Sequence, residues 1–300
     1  MSYILTLVAS ENAPPLSEKH VKGAQKIIAH YNIHTTDTLT WLDKNKAAEV
    51  GISSKAQYAL VEHLRDHFKK DRIDFFITKN ENRLKKLLLA DMDSTIVTTE
   101  TLDELADFAG IKEQIAQITA RAMNGELDFH NALRERVGLL KGLETKALQE
   151  TLRATTLSPG AKTLIRTMNI NTARCVLVSG GFTIFTERVA SLCGFHFHYG
   201  NTLGIENEKL NGRVQDPILD KHAKVKYLEH HIEKMNITPQ DCLTIGDGAN
   251  DLPMLKKAGL GIGYHPKETV QKELTNCILY GDLTAALYAQ GLRGTSFQRL

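Results

Sequence analysis

The sequence predicts an α/β protein: a doubly wound parallel sheet with a helical insertion, preceded by a smaller ferredoxin-like α+β unit. Three observations carry that prediction. Short apolar runs without alternation recur at 87–90, 175–178, 242–245 and 260–263, as in strands buried on both faces. Helical patterns at 161–168, 182–192, 220–234 and 251–258 lie between or after them, the rhythm of strands wound with helices on both sides. Residues 1–83 instead follow the order β-α-β-β-α-β, which suits a ferredoxin-like sandwich.

The smaller unit reads element by element. A strand is expected at 3–9, and a helix at 18–30 with Val21, Ala24, Ile27 and Ile28 on one face. Two short strands follow at 36–42 and 47–51. A helix at 56–68 carries Leu60, Val61 and Leu64, and a strand at 71–78 closes the unit before the polar linker Asn80-Glu81-Asn82. The remaining chain, 84–300, forms the larger domain. Between its first two strands lies an insertion at about 100–156, helical in pattern and far longer than an ordinary strand-to-helix connection.

Composition sets outer bounds. Three hundred residues exceed one comfortable core. With 42% hydrophobic and 24% charged residues the chain is an ordinary globular one, not a disordered or fibrous one. The 37 basic and 35 acidic residues are spread without long single-sign blocks, so neither nucleic acid nor an anionic membrane is an expected partner. The four cysteines are scattered and show no metal-ligand spacing. The first fifteen residues read as a strand and not as a signal peptide, and no run of 18 apolar residues exists, so a cytoplasmic protein is expected.

In doubly wound folds the chemistry sits where strands end; three constellations fall there, and a lysine on a helix is the fourth feature. Asp91-Met92-Asp93-Ser94-Thr95 places two acids at i and i+2 after a buried run. Alone, this also fits a strand-to-helix turn with a side-chain cap; two adjacent carboxylates, however, repel unless a cation or proton offsets them. Ser179-Gly180-Gly181-Phe182 ends a strand and opens a helix, so it is either a glycine turn or an anion cradle of N–H groups and a hydroxyl. In Gly246-Asp247-Gly248-Ala249-Asn250-Asp251, two acids four apart flank a glycine turn, offering hard oxygen donors of the kind Mg²⁺ prefers. Lys224 lies on a helix and by itself is an ordinary solvated charge. Together these supply what phosphoryl transfer requires: a carboxylate nucleophile, a second acid for proton transfer, a metal site and cationic or N–H groups around the phosphate.

The segments DMDSTIVTTETLDELADFAG, LRERV, VSGGFT, HAKVKYL and GDGANDLPMLKKAGLGIG resemble the successive motifs of the phosphoserine phosphatase family in the haloacid dehalogenase superfamily, over essentially all of 84–300. The resemblance implies a haloacid dehalogenase-like core and Mg²⁺-dependent hydrolysis of O-phosphoserine, the last step of serine biosynthesis. It implies Asp91 as nucleophile and Asp93 as general acid and base. Ser179, with Gly180, and Lys224 would hold the phosphoryl group. Asp91, Asp247 and the main-chain carbonyl of Asp93 would bind the metal, with Asn250 and Asp251 in support. The insertion then corresponds to a helical cap, where Glu100 would meet the substrate ammonium, Arg136 its carboxylate, and Met123 and Phe129 would shield the site. Without the resemblance these four read as a first-turn helix acid, a solvated helix face and two core residues. The N-terminal unit resembles ACT-like domains, although its connection Ser10-Glu11-Asn12-Ala13-Pro14-Pro15 departs from their usual turn. A regulatory role or assembly into a homodimer is the expectation for it. Two rivals stand beside this reading: a phosphatase or phosphotransferase for another small phosphate ester, and a signalling module in which a phospho-aspartate is a switch.

Overall fold

The computed structural model describes residues 1–123 and 126–299. Its first sheet is built from β1 (Tyr3–Ala9), β2 (Thr40–Asp43), β3 (Ala47–Ile52) and β4 (Ile73–Lys79), antiparallel throughout in the order β2-β3-β1-β4. Helices α1 (Glu18–Ala29) and α2 (Tyr58–Lys69) cover one face, so the expected β-α-β-β-α-β order is present. The third element is shorter than expected: 36–39 stays outside β2, and only an isolated bridge joins Thr35 to Ile52.

In β1, Leu5, Leu7 and Ala9 point into a core shared with α1 and α2. Val8 points the other way and, with Leu42, Ala47 and Phe76, joins the core of the larger domain. This antiparallel sheet is therefore covered on both faces, which explains why β1 reads as an almost unbroken apolar run.

The larger domain carries a six-stranded sheet. Its strands include β5 (Leu87–Ala90), β6 (Arg174–Phe182), β7 (Phe197–Asn201) and β10 (Cys242–Gly246). With β11 (Leu260–Tyr264) and β12 (Cys277–Ile278) they run parallel in the order β12-β11-β10-β5-β6-β7. The strand period of two explains the continuous runs. Leu88 and Ala90 of β5 pack with α7 (Ala161–Ile170) and α8 (Thr183–Cys193), while Leu87 and Leu89 pack with α9 (Lys221–Met235) and α10 (Leu252–Lys257). Neither face meets water, so apolar side chains occupy both registers.

Between β5 and α7 the chain leaves the sheet through a narrow stem. Thr98 N–H donates to the Thr156 carbonyl (3.0 Å), Ser158 N–H donates to the Ile96 carbonyl (2.9 Å), and Val97 bridges Leu157. Above the stem stand α3 (Thr101–Phe108), α4 (Lys112–Met123), α5 (Phe129–Leu139) and α6 (Thr145–Ala154), the expected helical insertion. The hairpin β8 (Leu203–Glu206) and β9 (Lys209–Val214), which the sequence reading did not anticipate, packs against this insertion through a Glu144–Lys209 bridge.

Candidate active site

Asp91 follows the last residue of β5 and stays in the ladder: its N–H donates to the Ile245 carbonyl of β10 (2.9 Å). Its side chain turns back, so that Asp91 Oδ1 accepts from Met92 N–H (2.8 Å). The chain then makes a tight turn over Met92–Ile96 in which Ser94 takes a left-handed φ of 54°. Non-glycine residues seldom adopt that conformation, and it is held here at a site of converging polar groups.

That turn aims Asp93 elsewhere than Asp91. Asp93 Oδ1 accepts from Thr101 N–H at the start of α3 (2.8 Å), and Oδ2 accepts from the Ser179 hydroxyl (2.9 Å). Burial pushes the Asp93 carboxyl above the ordinary carboxylate range, and the two donors pull it back.

Ser179 lies on a bulge, not after the end of a strand. The sequence reading stopped the strand at 178, whereas β6 continues to Phe182; its register with β7 jumps from Val178–Tyr199 to Phe182–Asn201, and α8 starts at Thr183. The bulge brings Ser179, Gly180 and Gly181 to the wall of the cleft, where Gly181 N–H donates to Ser179 Oγ (2.8 Å). A Cβ at Gly181 would lie 3.0 Å from both Asp93 Oδ2 and Ser179 Oγ and would crowd the two side chains.

Asp91, Asp247 and Asp251 are all buried, with carboxylate oxygens within 4.8 Å of one another. Lys224 Nζ, 3% exposed as a residue, sits between two of them, 2.7 Å from Asp91 Oδ1 and 2.6 Å from Asp251 Oδ1. Burial works against its charge, yet the two carboxylates hold Lys224 above the usual lysine value. Burial and the charge of Asp251 push Asp91 and Asp247 upward in turn. Asp251 Oδ2 also accepts the N–H groups of Asp247 (3.2 Å) and Gly248 (3.0 Å), which shapes the glycine turn. Three buried acids against Lys224 and the charge of Lys267 leave excess negative charge in an all-oxygen donor set. That set fits a hard divalent cation such as Mg²⁺.

A cavity of about 190 Å³ opens above this centre, lined below by Asp91, Asp93, Ser179, Gly180 and Lys224, and above by Glu100, Phe129 and Arg136 of the insertion. Asp247 and Asn250 complete its wall. Glu100 caps α3 and accepts from the Ser94 hydroxyl (2.7 Å). Burial and the Asp93 carboxylate push it above its ordinary range. Arg136 faces it from α5; burial works against the guanidinium, which Asp103 and Glu100 support. Phe129 approaches Gly180: a Cβ there would lie 3.6 Å from the Phe129 ring. The side chain of Met123 lies outside the described residues.

Three contributors escaped the sequence reading. Thr101 holds Asp93 through its main-chain N–H, which no side-chain motif reveals. Lys267, beyond β11, lines the cavity, and its charge acts on Asp247 and Glu100. Asn201, 1% exposed, donates to the Gly180 carbonyl (2.8 Å) and accepts from Leu219 N–H (2.8 Å), tying the bulge to the approach to α9. Its signal was a buried polar residue at a strand end, visible only once β7 is recognised.

Fold and site define a doubly wound α/β domain with a buried acidic centre beneath a helical cap. The chain belongs to the haloacid dehalogenase-like hydrolases, whose family model matches residues 88–256. Among individual proteins it is similar to a phosphoserine phosphatase of Archaeoglobus fulgidus, with 42% identity over 190 residues, covering 63% of this chain and 55% of that one. The chain thus spans about half the length of that relative. A crystal structure of a haloacid dehalogenase-family hydrolase from Salmonella enterica serovar Typhi superposes with a TM-score of 0.82 at 27% identity, covering 96% of this chain and 98% of that one. A phospho-aspartyl intermediate analogue of phosphoserine phosphatase superposes with a TM-score of 0.63 at 37% identity, covering 68% and 98%.

Proposed function

We propose that this chain is a cytoplasmic, Mg²⁺-dependent phosphoserine phosphatase that forms L-serine and phosphate from O-phospho-L-serine, completing serine synthesis. The observation that carries the reading is the two-ended cavity. Its floor offers Ser179, Lys224 and the Asp91–Asp247 pair to a phosphate; its roof offers Glu100 to an ammonium and Arg136 to a carboxylate. The names of the relatives and the phospho-aspartyl analogue support the same substrate and intermediate.

In the first step a carboxylate oxygen of Asp91 forms a bond to phosphorus while the bond from phosphorus to the serine oxygen breaks, and Asp93 gives that oxygen its proton. In the second, Asp93 takes a proton from water. The water oxygen bonds to phosphorus, the acyl-phosphate P–O bond breaks, and Asp91 returns to a carboxylate. Lys224, the Ser179 hydroxyl and the N–H groups of the bulge spread the charge of the transferring group. Mg²⁺, held by Asp91 and Asp247 with Asn250 and Asp251 orienting them, would neutralise phosphate charge so that two anions can meet. Four unpaired, buried thiols fit a reducing compartment. For residues 1–83, which have a hydrophobic core of their own, the role is that of a regulatory or assembly unit, with a homodimer forming through its surface.

The test is phosphate release from O-phospho-L-serine, O-phospho-L-threonine and p-nitrophenyl phosphate, with Mg²⁺ and with a chelator. The reading expects Mg²⁺-dependent release with phosphoserine preferred. Preference for an ester lacking the amino-acid charges would replace the substrate, and a phosphorylated but non-turning-over protein would make it a switch.

A further inference from the structure

Lys85 lies at the opposite end of the large sheet from the acidic centre and is 6% exposed. Its ammonium donates to the carbonyls of Asn82 (2.7 Å) and Gln240 (2.7 Å), which uses two of three protons. Among the described residues no carboxylate lies within 4 Å of it; the nearby Asp241 is engaged by Lys86 and by Thr238. Buried charges are ordinarily paired, because an unpaired one costs several kcal/mol.

The same ammonium lines a cavity of about 140 Å³ between the end of β4 and the start of β11. Two further lining residues carry buried polar atoms without a partner: Thr78 Oγ1, on a residue 9% exposed, and Arg83 Nε. The Arg83 side chain spends its NH2 group on Glu49 (2.7 Å), leaving Nε over. Lys79 adds a third cation at the rim, against the exposed Glu81. Unsatisfied buried donors are uncommon in native proteins. Two such atoms on residues lining one cavity, beside an ammonium with no carboxylate in contact, fit the coordination shell of an anion.

We propose that this cavity binds a small tetrahedral oxyanion, of the phosphate or sulfate class, through Lys85, Arg83 and Thr78. Such an ion accepts several hydrogen bonds and compensates the buried charge at once. Located where the linker leaves β4, it would also fasten the smaller unit to the larger domain. The inference does not depend on the substrate proposed above.

The full-length protein is titrated calorimetrically with inorganic phosphate, alongside Thr78→Val and Lys85→Gln, and wild-type crystals are soaked in selenate. The proposal expects one phosphate fewer bound by Lys85→Gln, at least tenfold weaker binding at that site in Thr78→Val, and an anomalous selenium peak within hydrogen-bond distance of Lys85 Nζ. Thr78→Val removes a single hydroxyl and carries the test should Lys85→Gln fail to fold. Sulfate is expected to compete with phosphate and serine not to. Unchanged phosphate binding in folded variants, water alone in the cavity after the soak, or displacement by serine would overturn it.

Discussion

Asp91 and Asp93 are two residues apart and meet different partners because the turn Met92–Ile96 points them apart. One faces Lys224; the other is held by Thr101 and Ser179. Their identity was legible in the sequence because two acids after a buried strand form a compact pattern, as do Ser179 and the Asp247–Asp251 turn. Lys267 and Thr101 were not legible, since one reaches the cavity through topology and the other acts with its backbone. Glu100 and Arg136 make the sharpest residue-scale prediction. Charge-assisted contacts contribute about 1.5–3 kcal/mol each, or roughly tenfold to a hundredfold. Arg136→Ala and Glu100→Gln should therefore lower kcat/KM for phosphoserine by that factor relative to p-nitrophenyl phosphate, in steady-state kinetics on both. Equal losses on the two esters would mean that the residues hold the cap together and do not read the amino acid.

At the level of elements, the apolar runs located four strands of the large sheet, but β7 and β12 were passed over. β7 is Phe-His-Tyr-Gly-Asn, with a Gly and an Asn that disfavour strands, and β12 is two residues long. The β8–β9 hairpin turns through Asn207 and Glu208, both left-handed at φ 50° and 60°. Glutamate in the second position, where glycine is usual, concealed that turn. Strand β4 carries a consequence for pH. Asp74 accepts the N–H groups of Leu279 (2.7 Å), Tyr280 (3.1 Å) and Gly281 (2.8 Å) across the interface between the two sheets. Burial nevertheless raises its pKa from 3.8 to about 6, the three donors pulling the other way. The folded state thus binds this proton more tightly than the unfolded chain, so the contribution of Asp74 is largest below pH 4 and declines through pH 6, by about 3 kcal/mol. Urea unfolding should show the stability of wild type, relative to Asp74→Asn, falling by that amount from pH 4 to 7. Parallel profiles would refute it.

For the molecule as a whole, the sequence shows a change of pattern near residue 84 but not the extent of the packing across it. Nothing in the alternation of β1 or β4 distinguishes a sheet buried on both faces by its own helices from one docked on a neighbour. Val8, Leu42, Ala47 and Phe76 pack into the larger core, and the wholly buried helix Ala285–Ala289 packs on β1 and β4. A fragment of 84–300 keeps the residues of the acidic centre but uncovers that surface. It should retain Mg²⁺-dependent turnover when cold and melt about 10 °C or more below the full chain by calorimetry; an unchanged midpoint would show that the interface contributes little. The central claim is the covalent step at Asp91, and acid-quenched mass spectrometry after mixing enzyme, Mg²⁺ and phosphoserine addresses it most directly. The account predicts a phosphate on the peptide containing Asp91, absent in Asp91→Asn together with all turnover. Full turnover by Asp91→Asn, or phosphate on any other residue, would contradict it.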